Sequence, residues 1–389
     1  MRRTAPGFAS IAFIILLAAP LRAQSGVHPK PAPPSQEDEA ESIYTEEVRI
    51  PVFAFDEAGK FDPRLEVDDV LVVEDGVPQQ VKSVRRTSAS VLLVLGTGWD
   101  LDPALRANTT RDIALSVIDT LREGDRVAVM QFNERTALLQ DWTLEKAQAA
   151  RAVKSKLASG QGSNLSRAVK RAVEMLASQP VGNRHLVLIA DGIDTASSTE
   201  YQDAVKKLIA AQATLHVISY SAVTRAENKQ PWWKSPPEKP GATQSAADQA
   251  TVGIDPTRPP GMRSSTGINP PDVNSGITFD PALRRQRKEA EREMKRGETR
   301  LKSLTDETGG RILTPDSTDE MVAEGAGVAR EIDSQYVVTY TPKRPLRNAS
   351  ASEYRKIHVG ARRIGLTLRA RRGYVVGSMR QPDRKPQGQ

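Results

Sequence analysis

Residues 89–220 alternate short apolar runs with amphipathic stretches, and no other feature of the chain constrains its fold as much. The runs Val91–Leu95 and His185–Ala190 are almost continuously apolar, which is typical of parallel strands that helices cover on both faces. Arg126–Phe132 and Thr214–Tyr220 are further strand candidates, and the intervening stretches have helical spacing. The sequence therefore predicts an α/β fold with a doubly wound, mostly parallel sheet.

Small β segments are predicted on both sides of the wound domain, which we expect to cover residues 88–342. Residues 46–87 form a β-rich N-terminal module in which Asp75-Gly76 favours a tight hairpin turn. Residues 343–376 form a C-terminal β segment of strand-like runs.

The first 23 residues predict export. Arg2 and Arg3 provide a positive start, Phe8–Pro20 is apolar, and residues 21–23 end in an alanine that suits cleavage. The apolar run is shorter than the ~18 residues that a membrane span needs. We therefore expect a cleaved signal peptide at 1–23, a periplasmic or extracellular location and no transmembrane segment in the mature chain. An uncleaved membrane anchor is the alternative.

Three segments lack apolar periodicity. Residues 24–45 are rich in Pro and Glu and predict a flexible linker. Residues 224–278 are rich in Pro, Ser, Thr and Gly and predict a disordered insertion within the wound domain. Its Trp232 and Trp233 either anchor a partner or pack locally. Residues 377–389 predict a polar, disordered tail.

Composition narrows the function. The chain has no cysteine, which excludes disulfides and thiolate chemistry. Aromatic residues make up 5%, so no base-stacking platform and no specific nucleic-acid partner are expected. From Lys343 onward the chain has thirteen Lys or Arg and two acidic residues. This region is either a solvated basic face or a binding surface for an anionic envelope polymer.

A binding face is predicted where the winding of the sheet reverses, because open α/β sheets bind ligands at the carboxyl ends of such strands. Gly96–Asp102 follows one buried strand, Asp191–Asp194 follows another, and the loop Gly160–Leu165 opens a helix between them. The candidate residues of the face are Gly96, Gly98, Asp100, Ser163, Asn164 and Asp191.

The sequence carries no signature of catalysis, so we predict that the protein is not an enzyme. Its four histidines form no helical His-x-x-x-His pair. Ser163 and Ser166 lack a Gly-x-Ser-x-Gly elbow, and the loop at Gly160 lacks the Lys-Ser/Thr of a phosphate loop. The carboxylate pairs Asp100/Asp102 and Asp191/Asp194 keep acid–base chemistry as an alternative to a turn-forming role.

The order of the elements, Gly162-Ser163-Asn164-Leu165 and the turn 191–194 resemble a von Willebrand factor type A domain. Residues 46–376 as a whole are similar to a bacterial exported family with such a domain in its centre. The further stretches that carry this resemblance are Glu74–Gln79, Thr308–Arg311, Gln335-Tyr336 and Arg372–Tyr374. The resemblance implies a protein-interaction or adhesion module.

Domains of this family usually hold Mg²⁺ with Asp-x-Ser-x-Ser after the first strand, a Thr in a Gly-containing loop and an Asp after the fourth strand. By the resemblance, Gly96 stands at the first Asp position, and Gly98 and Asp100 stand at the two Ser positions. Ser163 replaces the Thr, and Asp191 matches. Mg²⁺ requires near-ideal six-fold oxygen coordination, so the loss of these oxygens predicts a degenerate site that binds metal poorly.

Two alternatives to a metal-independent protein-interaction module stay open. One is an adhesion domain that binds Mg²⁺ or Mn²⁺ through a rearranged site of Asp100, Ser163 and Asp191. The other is a binder of an anionic envelope polymer through the basic C-terminal region. The sequence names no protein partner.

Overall fold

The computed structural model describes residues 46–98, 103–229 and 281–379, in which fourteen strands and eight α-helices occur. The strands are β1 (Val48–Phe55), β2 (Val70–Glu74), β3 (Val77–Gln79), β4 (Val81–Arg85), β5 (Ser90–Gly96), β6 (Arg126–Phe132), β7 (Thr136–Thr143), β8 (Arg184–Ala190), β9 (Ala213–Ser219), β10 (Arg311–Leu313), β11 (Gln335–Tyr340), β12 (Tyr354–Ala361), β13 (Thr367–Ala370) and β14 (Gly373–Val375). The helices are α1 (Pro103–Thr120), α2 (Lys146–Lys156), α3 (Leu165–Ala177), α4 (Ser198–Ala210), α5 (Ser221–Lys229), α6 (Pro281–Thr308), α7 (Thr318–Asp333) and α8 (Val376–Met379).

The central sheet has six strands in the order β10-β9-β8-β5-β6-β7. All neighbours pair in parallel except β7, which runs antiparallel to β6 at one edge. The strand β5 lies between β6 and β8, so the winding reverses there. The predicted doubly wound, mostly parallel α/β sheet is confirmed.

Helices cover both faces of this sheet, because its strands alternate their buried side chains between the two sides. Leu93 of β5 belongs to one apolar cluster with residues of α1, α2 and α7, whereas Leu92 belongs to a second cluster with residues of α3, α4 and α6. Each fully buried aliphatic side chain of this kind contributes about 1.5–3 kcal/mol to folding. The two layers fix the positions of the strand ends on which the candidate face depends.

The flanking β segments pair with each other. One sheet has the order β13-β1-β11-β4 and the other the order β14-β12-β2-β3, and their facing sides share one apolar core. The strand β11, which lies within the range expected for the wound domain, pairs with β1 and β4. Both sheets therefore combine strands from before and after the wound region, while the domain boundaries themselves stay a prediction.

The turn predicted at Asp75-Gly76 joins β2 to β3, with Glu74 opposite Val77. Both turn residues have positive φ, 46° at Asp75 and 83° at Gly76, as a type I′ hairpin requires. The following strand, β4, does not extend this hairpin and pairs with β11 in the other sheet.

The segments predicted as signal peptide, linker and most of the insertion and tail lie outside the described ranges. Helix α5 extends to Lys229, so the insertion predicted from residue 224 begins with helical residues. Arg225 of α5 pairs with Glu298 of α6 at 2.8 Å, which supports this extra length. No helix within the described ranges is both long and apolar enough to cross a membrane.

Candidate binding face at the carboxyl edge of the central sheet

Three segments meet where β5 and β8 end. The backbone N–H of Gly160 donates to the carbonyl of Thr97, just after β5, at 3.1 Å. The N–H of Thr195, after β8, donates to the carbonyl of Ser163 at 2.8 Å. The loop before α3 is therefore bonded both to the end of β5 and to the turn that follows β8.

The turn after β8 is fixed at Ile193. Asp191 Oδ1 accepts the N–H of Ile193 at 3.0 Å, and Ser163 Oγ donates to the carbonyl of Ile193 at 2.7 Å. Asn164 caps α3, because its side chain accepts the N–H of Arg167 at 2.9 Å. Each of these candidate polar side chains therefore has a hydrogen-bonding role within the loops.

Asp194, the second carboxylate of the turn, binds the start of α3. Its Oδ2 accepts the N–H of Ser166 at 3.1 Å and also the Ser166 hydroxyl, and its Oδ1 accepts the N–H of Ala196 at 3.1 Å. This geometry matches the turn-forming role that was the alternative to acid–base chemistry for this pair.

Backbone and side-chain atoms crowd the positions that a Cβ would occupy at Gly96 and Gly98. A Cβ on Gly96 would lie 2.9 Å from the carbonyl oxygen of Ile189 and 3.2 Å from the ring of Phe132. A Cβ on Gly98 would lie 1.7 Å from the carbonyl oxygen of Gly162. The backbone has closed around both positions, so an oxygen-bearing side chain does not fit at either without movement of backbone atoms.

A buried arginine faces Asp191. Nη2 of Arg106, on α1, lies 3.7 Å from Asp191 Oδ2, and the two side chains are 4% and 7% exposed. The guanidinium stacks on the ring of Tyr220 with its central carbon 3.8 Å from the ring centroid. The candidate carboxylate therefore has a cation from the chain itself beside it.

The same helix ties the ends of three strands together. Thr110 Oγ1, one turn after Arg106, donates to the carbonyl of Gly96 at 3.3 Å and lies 2.8 Å from the Tyr220 hydroxyl. Asp191, Arg106, Tyr220, Thr110 and Gly96 thus form a connected network across the ends of β8, β9 and β5.

Most of the predicted face residues come together at this edge. Gly96, Gly98, Ser163, Asn164 and Asp191 all lie there, whereas Asp100 lies outside the described residues. Whether these residues bind a partner stays a prediction.

Sequence reasoning missed Arg106, Thr110 and Tyr220. A signal for the first two exists in the helical spacing, because residues 106, 110, 113 and 117 fall on one face of α1. Ile113 and Val117 on this face are completely buried. A charged residue on an otherwise buried stripe requires a buried partner of opposite charge.

The described residues do not fit a six-coordinate Mg²⁺. Gly96 and Gly98 offer no side-chain oxygen and no space for one. Asp191 is engaged by Ile193 and Arg106, and the Ser163 hydroxyl proton is used on Ile193. Among these residues no cluster of three or more His, Cys, Asp or Glu side chains is arranged to hold a metal ion.

Two histidines form a buried pair on β8 and β9. His185 Nδ1 lies 3.2 Å from His216 Nε2, and His185 Nε2 lies 2.8 Å from Asn183 Oδ1. Burial lowers the pKa of both, to about 3 for His216. Arg369 and Arg311 lower the pKa of His216 further, although its Nδ1 also lies 3.7 Å from a Glu331 carboxylate oxygen.

Much of the basic C-terminal region is neutralised within the fold. Arg355 pairs with Glu74 at 2.8 Å with both side chains buried, and Arg344 pairs with Asp75 at 2.6 Å. The ion-paired arginines of this region include Arg344, Arg355, Arg363, Arg369 and Arg372. Their charge is therefore only partly available to an anionic polymer.

Comparison with known families gives one domain match. Residues 103–232 match the family model of the von Willebrand factor type A domain. The match includes the loop before α3 and the turn after β8, and it starts after the loop that follows β5. A search of curated proteins gave no match.

Several solved structures are similar to the chain at low identity. BatB, a conserved hypothetical protein from Bacteroides thetaiotaomicron, is 19% identical with a TM-score of 0.30 over 34% of this chain and 66% of its own. A von Willebrand factor type A protein from Catenulispora acidiphila is 11% identical with a TM-score of 0.40 over 87% and 75%. Manganese-loaded TRAP from Plasmodium vivax is 14% identical with a TM-score of 0.32 over 39% and 61%.

The family match and the wound sheet agree on the same part of the chain. The strand order places β5 at the centre, and the matched residues supply the helices on both sides of it. Residues 103–232 of this protein therefore match a von Willebrand factor type A domain, and they form the larger part of its wound central region.

Proposed function

We propose that this protein is an exported protein-interaction or adhesion module that holds a protein partner on the carboxyl edge of its wound sheet. It does so without catalysis and without a divalent metal. The observation that carries this proposal is the closure of the backbone around Gly96 and Gly98, which leaves no space for the metal-binding side chains of the family at these positions.

The edge is suited to binding a protein because it combines a rigid base with exposed loop residues. The backbones of the loop before α3 and of the turn after β8 are hydrogen-bonded to each other. Gln161 and Thr195 are exposed on these loops. A partner that meets such a surface loses little free energy to ordering it.

The alternative of a rearranged metal site depends on Asp100, which lies outside the described residues. Such a site would need Asp191 and Ser163 to exchange their present bonds to Ile193 for the ion. Titration with Mg²⁺ and Mn²⁺ decides between the two readings, because a metal bound only by the folded state raises the melting temperature.

The alternative of an anionic envelope polymer receives less support. Five arginines of the C-terminal region are engaged in intramolecular ion pairs. Polymer binding through this region would show a steep dependence on salt. Export itself rests on the sequence of residues 1–23, and sequencing of the mature N-terminus from cell fractions tests it.

The test of the proposed face uses two exposed positions at opposite ends of the sheet. Gln161 lies on the loop before α3, and Glu123 lies just before β6 at the amino edge of the strands. Cross-linking of the purified mature chain to envelope proteins, read by quantitative mass spectrometry, should identify a partner whose yield falls about tenfold in Gln161→Arg.

The matched control is Glu123→Arg, which should leave that yield unchanged. Equal loss in both variants, or no specific cross-linked protein at all, contradicts the proposal. Loss of cross-linking on addition of EDTA would instead support the metal-dependent reading.

A further inference from the structure

A positive charge from the chain itself occupies the inner side of the binding face. The Arg106 guanidinium lies 3.7 Å from Asp191 Oδ2, and neither side chain is more than 7% exposed. A carboxylate buried to this extent without a cation carries a large desolvation penalty. Arg106 therefore supplies the kind of charge balance that a divalent ion would otherwise bring.

We propose that Arg106 is the resident cation of this edge, which replaces a divalent metal as the partner of Asp191 and holds the 191–194 turn in place. This inference deepens the proposed function, because it explains how the face keeps its shape without an ion. Only the claim that the face binds a partner rests on the proposed function, because the ion pair can be tested without any partner.

The position of the guanidinium is built into the fold. Tyr220 supports it from one side with its ring 3.8 Å away, and Tyr220 is itself held by a hydrogen bond to Thr110. A planar guanidinium can stack on an aromatic ring and face a carboxylate at the same time, which a lysine ammonium does less well. Helix α1 thereby connects the turn after β8 to the end of β5.

The burial of Arg106 also limits what it can recognise. Its side chain is only 4% exposed, so it is not positioned to receive a carboxylate from a partner protein. It acts as a positioning residue for the turn, and recognition of a partner falls to the exposed residues of the loops. This distinguishes the edge from a metal site, in which the ion itself contacts the partner.

A double-mutant cycle tests the pairing. Arg106→Gln and Asp191→Asn should each lower the melting temperature, because each removes one charge of a buried pair and keeps the other charge buried. The double variant should lose clearly less than the sum of the two single losses. Folding of the double variant alone, with both single variants unfolded, would support the pairing equally.

The matched control is Arg111→Gln on the same helix. Arg111 donates to Asn108 Oδ1 and to the carbonyl of Leu157, and no ion pair joins it to a carboxylate in the described part of the chain. Its combination with Asp191→Asn should show additive losses. Additive losses for the pair Arg106 and Asp191 would overturn the inference.

A metal titration of the wild-type chain provides a test that needs no variant to fold. Millimolar Mn²⁺ and EDTA should give the same melting temperature if Arg106 occupies this role. A rise of about 3 °C with Mn²⁺ that disappears in Asp191→Asn would overturn the inference. An unchanged melting temperature together with failure of the cross-linking experiment would retain the resident cation while rejecting the proposed function.

Discussion

Gly297 of α6 packs against Gly192 of the turn after β8, and a Cβ on Gly297 would lie 2.4 Å from the carbonyl oxygen of Gly192. Helix α6 is fixed at this level because Glu298 accepts hydrogen bonds from Ser221 at 2.9 Å and Arg225 at 2.8 Å. The position of α6 is therefore coupled to the turn that contains Asp191.

Substitution of Gly297 by Ala should destabilise the protein, although Ala favours helices by ~1 kcal/mol over Gly. The added methyl group would collide with backbone, and such overpacking costs about 1–3 kcal/mol. Thermal unfolding followed by circular dichroism measures the difference. The control is Gly327→Ala on α7, where the new Cβ would meet the flexible Glu324 carboxylate at 3.1 Å. Equal stability changes in the two variants would contradict the close contact.

Restoration of the family's aspartate at position 96 should not restore metal binding. The new side chain of Gly96→Asp would press on Ile189 and Phe132, so we expect a loss of about 2 kcal/mol in the free energy of unfolding and no metal response. Urea unfolding with and without Mg²⁺ measures both. Gly360→Asp on β12 is the control, because the nearest atom to a Cβ there is 4.0 Å away. Stabilisation of Gly96→Asp by Mg²⁺ would show that the loop can reopen.

Neutralisation of Glu74 should destabilise the paired flanking sheets. Its carboxylate accepts from Tyr340, Tyr374 and Arg355, and it is 3% exposed. Glu74→Gln removes the buried counter-charge of Arg355 and leaves Glu353, 3.0 Å from its Nε, as the remaining carboxylate partner, so we expect a loss of about 1.5–3 kcal/mol. Chemical denaturation measures this loss.

The comparison for Glu74 is a glutamate on the surface of the same sheets. Glu47 forms an ion pair with Arg49 at 3.6 Å, and both side chains are substantially exposed. Glu47→Gln should cost less than ~1 kcal/mol, because exposed ion pairs contribute little. A loss of similar size for both variants would contradict the prediction that the buried Glu74 carboxylate contributes more to stability than an exposed ion pair.

The buried histidine pair should make the protein less stable in acid. The pKa of His216 is lowered to about 3 in the folded state and is 6.5 in the reference state. Between these values the unfolded chain binds a proton that the folded chain does not. Above pH 6.5 this group therefore does not reduce the free energy of unfolding. Below pH 6.5 the free energy of unfolding falls by about 1.4 kcal/mol per pH unit because of this group. His185, whose pKa is also lowered, acts in the same direction.

Urea unfolding at a series of pH values between 4 and 8 checks this expectation. His216→Gln should unfold with a shallower dependence on pH than the wild type. His358→Gln removes an exposed histidine of β12 and should keep the wild-type dependence. The groups that surround His216 include Glu331, Arg369 and Arg311, so an unchanged slope in the His216 variant would contradict the assignment of the effect to His216.

Local pattern was sufficient to predict the wound sheet. Continuous apolar runs such as Val91–Leu95 indicate strands buried on both faces, and the helical spacing between them indicates the covering layers. The turn at Asp75-Gly76 was equally predictable, because two consecutive positive φ angles select such residues. The expected meeting of the ends of β5 and β8 follows from the same topology.

By itself, then, the sequence determined the alternation of strands and helices in the wound region and placed glycines, which have no side-chain oxygen, at positions 96 and 98. Only the tertiary structure decided that β1 and β2 pair with β11 and β12, and that Arg106 faces Asp191. The physical reason is the distance along the chain over which each kind of information acts. Periodicity reports which face of an element is buried, whereas the choice of a strand partner or counter-ion is made by packing between residues far apart in the chain.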